Sequence, residues 1–169
     1  MSITIDALAS GTSSNSYITL TEANTYFEAV PWFDSLWDAL TDDQKNARIV
    51  QAARAIDRLN LEGARYLDDQ MMEFPRDLTD QSTNDGEMPQ KVKDAQCELI
   101  IWQYQHMDSA TGDADRQVDE VSLGKGEIHV KYTQYKNVDH NLAGGMPESV
   151  RALLRTWLLS SSNVVIDRV

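Results

Sequence analysis

Twice in this chain a methionine-proline pair opens an apolar run: Met88-Pro89-Gln90-Lys91-Val92, and again Met146-Pro147-Glu148-Ser149-Val150. Proline has a fixed φ and no N–H, and the first turn of a helix has no partner for that N–H. Each pair, following a polar stretch that contains glycine, therefore marks a helix start. Between them, residues 108 to 145 break the helical pattern with an acidic stretch, then Gly124-Lys125-Gly126, then the alternating run Glu127-Ile128-His129-Val130-Lys131-Tyr132. A period of two is the period of a strand. The chain must accommodate a β-hairpin-like arm within a helical protein.

The remaining helices are signalled by their caps. Thr19 with Glu22 and Thr41 with Gln44 have capping-box spacing. The first predicts a helix from about Leu20 to Val30, with Ala23, Tyr26 and Phe27 inward. Pro31 is expected to end it, and Trp32, Phe33, Leu36 and Trp37 to follow as an aromatic knot. The second predicts a helix to about Asn60, with Ile49, Val50, Ala53, Ile56 and Leu59 on one face. From Pro89 to Met107, one stripe holds Val92, Ala95, Leu99, Trp102 and His106, while Cys97, Ile100, Ile101 and Tyr104 lie on the other side. Apolar residues around most of the circumference predict a central helix, or one that packs on a neighbouring subunit. A last helix is expected from Pro147 to Ser160.

The expected fold is mainly α, a small bundle of about four helices with an inserted β-hairpin-like arm and an extended C-terminal tail. It is read as one domain over residues 1–169: a helical body (1–107), an acidic linker and arm (108–146), and a last helix with its tail (147–169). The core is expected to include Tyr26, Trp37, Val50, Ala53, Ile56, Leu99, Trp102, Leu154 and Trp157, and all four tryptophans are read as core builders. Residues 61 to 88 form a long connection, expected to be an interaction surface or partly flexible.

The net charge of −12 matters through its placement. Residues 66 to 90 hold seven acids against Arg76 and residues 108 to 120 hold five against Arg116, so these two connections supply −10 of the −12. Gripping nucleic acid requires concentrated Lys and Arg, so this balance argues against phosphate binding as the main task. It is compatible with DNA sliding past without being held. Cys97 is the only cysteine and cannot form an intrachain disulfide, and the N-terminus shows neither a basic leader nor an apolar span. A reducing cytosolic origin with no membrane association is the expectation.

No catalytic, metal or cofactor constellation emerges. His106, His129 and His140 lack metal-ligand spacing, Gly124-Lys125-Gly126 lacks the rest of a phosphate loop, and Cys97 sits among apolar neighbours. The best candidates for single-stranded nucleic acid are Lys125, Lys131, Tyr132, Tyr135 and Lys136 on the arm. A hairpin with Ile128, Val130 and Tyr132 on a packed face accounts for them better.

The succession Tyr17-Ile18-Thr19-Leu20-x-Glu22-Ala23-x-x-Tyr26-Phe27, Ala53-x-x-Ile56-Asp57, Phe74-Pro75-Arg76, Pro89-x-x-Val92-x-x-Ala95-x-x-Glu98-Leu99 and Pro147-x-x-Val150-x-x-Leu153-Leu154 resembles the head-to-tail connector (adaptor) proteins of tailed bacteriophages. It is also similar to DnaT-like single-stranded DNA-binding proteins, the alternative reading. The connector resemblance implies a non-enzymatic virion protein, made in the host cytoplasm, that forms a dodecameric ring beneath the portal. Such a ring extends the DNA channel and presents a surface to the stopper or tail. On that reading Ile128, Val130, Tyr132 and Tyr135 of the arm are expected at a subunit interface. The tail residues Val164, Val165, Ile166, Arg168 and Val169 are expected to bind a partner, the portal above all.

Overall fold

The computed structural model describes residues 3–78, 86–106, 118–124, 127–132 and 146–159. Among the described residues, five helices and two small antiparallel sheets occur in the order α1 (Leu20–Glu28), α2 (Pro31–Asp38), α3 (Asp42–Asp57), β1 (Ala64–Arg65), β2 (Arg76–Asp77), α4 (Gln90–His106), β3 (Val118–Gly124), β4 (Glu127–Tyr132) and α5 (Glu148–Leu154). The mainly helical fold with a β-hairpin is as expected, with one helix more.

Both capping boxes form. The Thr19 hydroxyl accepts from the Glu22 amide at 3.2 Å while the Glu22 carboxylate accepts from the Thr19 amide at 2.7 Å. Thr41 and Gln44 repeat the exchange at the head of α3, at 3.4 and 2.9 Å. Each cap is worth about 0.5–2 kcal/mol.

The extra helix is α2, which replaces the expected knot. Pro31 does not merely stop α1; it occupies the first turn of a new helix, whose Phe33 and Asp34 amides donate to the Val30 carbonyl. The rule that reads Pro89 as a start applies equally at Pro31. Phe33 and Trp37, four residues apart, point inward and are fully buried, whereas Trp32 and Leu36 lie on the outer face, 51% and 40% exposed. Trp32 is therefore not a core residue.

Phe27, Phe33 and Trp37 form an edge-to-face cluster, with ring centroids 4.6 Å apart for Phe27–Trp37 and 4.9 Å for Phe27–Phe33. Beneath it, α4 packs against α1, α3 and α5 and occupies the centre of the body. Its Val92, Ala95, Leu99 and Ile100 meet Ile49, Ala52, Ala53 and Ile56 of α3 and Val150 and Leu154 of α5 in one core cluster. Tyr26 and Trp102 border this core half-buried rather than lying inside it.

Two segments depart from expectation. Helix α5 ends at Leu154, and the Trp157 amide donates back to the Leu154 carbonyl at 2.9 Å. From there the chain runs antiparallel beside residues 60–62: the Glu62 amide donates to the Trp157 carbonyl at 2.7 Å and the Leu159 amide to the Asn60 carbonyl at 3.1 Å. Pairing with this neighbouring segment replaces further helix, and Trp157 packs edge-on against Phe74 at 5.4 Å. The connection after α3 is a packed loop over residues 61–78. Arg76, 6% exposed, donates to the carbonyls of Glu62 and Gly63 at 3.0 and 2.6 Å and pairs with Glu73. Gln70 gathers the carbonyls of Met72 and Pro75 at 2.7 and 3.1 Å. Gly63 has a φ of +81°, and a Cβ at this position would fall 2.2 Å from the Asp77 carbonyl oxygen, so both backbone conformation and space demand glycine.

Candidate interaction surfaces

The buried polar groups serve the scaffold. Gln96 is fully buried in α4; its side-chain oxygen accepts from the Tyr17 amide at 3.1 Å, and its amide donates to the Ser16 hydroxyl at 3.0 Å and the Ile49 carbonyl at 2.8 Å. One side chain thus ties the N-terminal segment to α3 and α4. The Asp57 carboxylate accepts from the Tyr17 hydroxyl and, at 3.2 Å, from the Glu73 amide. Burial pushes the Asp57 carboxyl above its ordinary range despite those bonds, and burial together with Asp57 pushes the Tyr17 phenol well up.

A cleft of about 290 Å³ lies between α1 and α4, lined by Ile18, Thr21, Thr25, Tyr26, Gln90, Asp94 and Cys97. Lys93 bridges it to Glu22 at 2.6 Å, and the Tyr26 hydroxyl donates to Glu98 at 2.8 Å. Burial raises the Glu22 carboxyl, but hydrogen bonds from Lys93 and Thr19 outweigh it and hold the group below its ordinary value. Burial, reinforced by Asp94 and Glu98, pushes the Cys97 thiol up. A raised thiol is the reverse of an activated nucleophile. Among the described residues no group of His, Cys, Asp and Glu could hold a metal ion, and no helix is long and apolar enough to cross a membrane.

The hairpin's register gives the arm its chemistry. Leu123 pairs with Ile128, Val121 with Val130, and Val118 with Tyr132, while Ser122 pairs with His129 and Glu120 with Lys131. Strict alternation from Val121 would put Asp119 opposite Tyr132. The irregularity between Val118 and Glu120 adds one residue to β3 and brings Val118 there instead. The bulge keeps apolar residues paired with apolar ones along the whole ribbon.

Among the exposed apolar residues of the described body, which also include Ile3 and Tyr66, three places stand out. Trp32 and Leu36 share the outer face of α2; Leu8, Leu67 and Met71, at 69%, 43% and 62% exposure, project from two loops joined by the Met71 amide donating to the Gly11 carbonyl at 3.0 Å; Leu159 stands at the end of the chain's paired segment. None of these is legible from periodicity as surface. For Trp32 and Leu36 the available signal is Pro31, which opens a helix on which Phe33 and Trp37 share one face and Trp32 and Leu36 another.

Of the residues singled out in the sequence, Ile128, Val130 and Tyr132 lie in β4, at the apolar pairs of the ribbon. Lys131 is in the same strand, paired with Glu120. Tyr135, Lys125, Lys136, His140 and the tail residues Val164, Val165, Ile166, Arg168 and Val169 lie outside the described residues. A family model with the description "Putative DnaT-like ssDNA binding protein" matches residues 1–169. No curated protein and no solved structure matches the chain.

Proposed function

This chain belongs, over its whole length, to the family so described, and we propose, on its apolar arm, its acidic connections and its resemblance to phage connectors rather than on that description, that it is a structural assembly protein of the tailed-phage neck and not an enzyme. In this proposal it forms a ring beneath the portal that extends the DNA channel and joins the head to the stopper or tail, in the virion. DNA passes its lumen without being gripped. The arm supplies subunit contacts through Ile128, Val130, Tyr132 and Tyr135, and the tail engages the portal through Val164, Val165, Ile166, Arg168 and Val169.

The observation that carries this reading is the ribbon whose register pairs apolar with apolar residues along its length. An isolated two-stranded hairpin is marginal in water and gains stability by covering its apolar residues with another surface. Acidic connections supplying −10 of a net −12 complement it, since repulsion of phosphate favours passage over capture.

The second reading, single-stranded DNA binding, is favoured by the family's own description. On that reading Lys131 and Tyr132 of β4 would lie on the strand that meets the bases. Two measurements separate the readings. The chain mixed with portal assemblies should decorate them in negative-stain images, and anisotropy titration with a labelled single strand at physiological salt should show weak or no binding. Sub-micromolar, salt-sensitive affinity for the strand would establish the second reading and sink the first.

A further inference from the structure

Leu8, Leu67 and Met71 come from two loops distant in sequence, and all three side chains are exposed where the loops meet. The joint is fixed by hydrogen bonds. Beside the Met71 to Gly11 bond, the Leu8 carbonyl accepts from the Gly11 amide at 3.0 Å and from the Ser14 hydroxyl at 2.6 Å. On the other loop the Gln70 amide donates to the Leu67 carbonyl at 3.3 Å, and the buried Gln70 side chain accepts from the Leu67 amide at 3.1 Å. Between Leu8 and Gly11, Ser10 is held at a φ of +58°, in the left-handed region that serine enters only at some cost. Single exposed apolar residues need no explanation, but three gathered on fixed turns make a contact surface.

The charge around this surface selects its partner. The turn that joins Leu67 to Met71 carries Asp68 and Asp69, both exposed. Asp6 stands beside Leu8, accepting from its amide at 3.2 Å and from the Ser13 hydroxyl at 2.8 Å. Over residues 6–16 and 64–73, Arg65 is the single base. It is already engaged, pairing with Glu73 at 2.9 Å and donating to the Gln70 carbonyl at 3.1 Å. The crevice between the loops, which Ser10, Ser14, Gln70 and Met88 help to line, includes no basic side chain. An apolar centre with an acidic rim repels nucleic acid and anionic lipid headgroups. It complements an apolar strip flanked by lysine or arginine. We propose that this surface docks a basic amphipathic segment of another protein, with the flexible thioether of Met71 adapting to the apolar strip. Neither arm nor tail takes part, so this contact is independent of the neck role.

The probe is a fluorescein-labelled helical peptide of leucine and lysine, titrated with the full chain at physiological salt and followed by anisotropy. Binding is expected, and Leu67→Ser/Met71→Ser should weaken it about tenfold. Asp68→Asn/Asp69→Asn should weaken it about threefold. Melting temperatures should hold in both, because these side chains are exposed. Trp32→Ser alters an exposed apolar residue on α2, and Glu28→Gln/Asp34→Asn removes two acids on α1 and α2; both should leave the affinity as it is. A peptide that does not bind, a glutamate-for-lysine peptide that binds as well, or controls that weaken binding as much as the surface variants would each overturn the contact. Sedimentation tests the other occupant: self-association of the wild type that Leu67→Ser/Met71→Ser abolishes would put a second copy on this surface and overturn the basic partner.

Discussion

Replacing Gln96 by Leu isolates what one buried polar side chain does for this fold. The substitution keeps the volume close and removes three hydrogen bonds, to Tyr17, Ser16 and Ile49. Their losses are unequal. The Ile49 carbonyl remains inside α3, where the amide four residues on is available to it. The Ser16 hydroxyl still donates to the Ile18 carbonyl at 2.7 Å and accepts from the Ile18 amide at 3.1 Å. The Tyr17 amide alone is left buried without an acceptor, at about 1–3 kcal/mol, and the lost net hydrogen bonding adds about 1 kcal/mol more. The expected loss is about 2–4 kcal/mol, or about 5–15 °C in melting temperature for a chain of this size. Gln96→Glu supplies the contrast: its oxygen still accepts from Tyr17, but the other oxygen faces the Ile49 carbonyl without a proton to donate. That carboxyl would be held protonated in the fold, so the variant should be least stable at high pH and recover as pH falls. Urea unfolding at pH 5 and 8, followed by tryptophan fluorescence, reads both. A loss below about 0.5 kcal/mol for Gln96→Leu, or pH-independent stability of Gln96→Glu relative to wild type, would refute the pinning role.

Asp57→Asn should be neutral or stabilising at neutral pH, because the amide oxygen can still accept from Tyr17 and Glu73 while the buried charge is gone; Asp57→Ala should cost about 1–3 kcal/mol by leaving the Glu73 amide unpaired. The sign follows from the raised carboxyl: the folded chain holds that proton more tightly than the unfolded chain, so this group's contribution falls as pH rises from its unfolded value of 3.8 through the folded one, and Asp57→Asn should flatten that limb in a pH series of denaturation curves. Trp37→Ala should cost about 3–5 kcal/mol and the half-buried Trp102→Ala clearly less, about 1–3 kcal/mol, in the same unfolding assay. Removing residues 118 to 132 should leave the body's melting temperature within a few degrees while abolishing assembly on portals; a chain that fails to fold would place the arm in the core.

Legibility tracks locality. The capping boxes and the two methionine-proline starts follow from spacing alone, because each depends on residues within a few positions of one another, whereas the apolar circumference of α4 leaves open whether this chain or a neighbour covers it. Gln96 is invisible in the sequence for the opposite reason: its partners lie 47 to 80 residues away, and nothing in α4's own pattern distinguishes a buried amide from a surface one. The same holds for Arg76, three of whose carbonyl partners are 13 to 15 residues upstream and turn a stretch that reads as loose into a packed loop. Helix α2 is missed for a different cause, since one proline can close one helix and open the next, and only the burial of Phe33 and Trp37 decides between them. The candidate surfaces are legible in part. The alternation in β4 gives the apolar residues, but the added residue in β3 that keeps them matched belongs to the pairing and not to either strand.

The short antiparallel stitch between residues 60–62 and 157–159 also defines a load path. A pull applied beyond Leu159 first meets the bond from the Leu159 amide to Asn60 and then the one from the Glu62 amide to the Trp157 carbonyl. Behind them, Trp157 is lodged against Phe74 and acts as a stopper. Tension therefore passes into the loop that Arg76 fastens and on to α3, the longest helix of the N-terminal half, before it reaches the seven-residue α5. A chain whose C-terminal end is tethered can thus pass force into α3 as well as into the seven-residue α5.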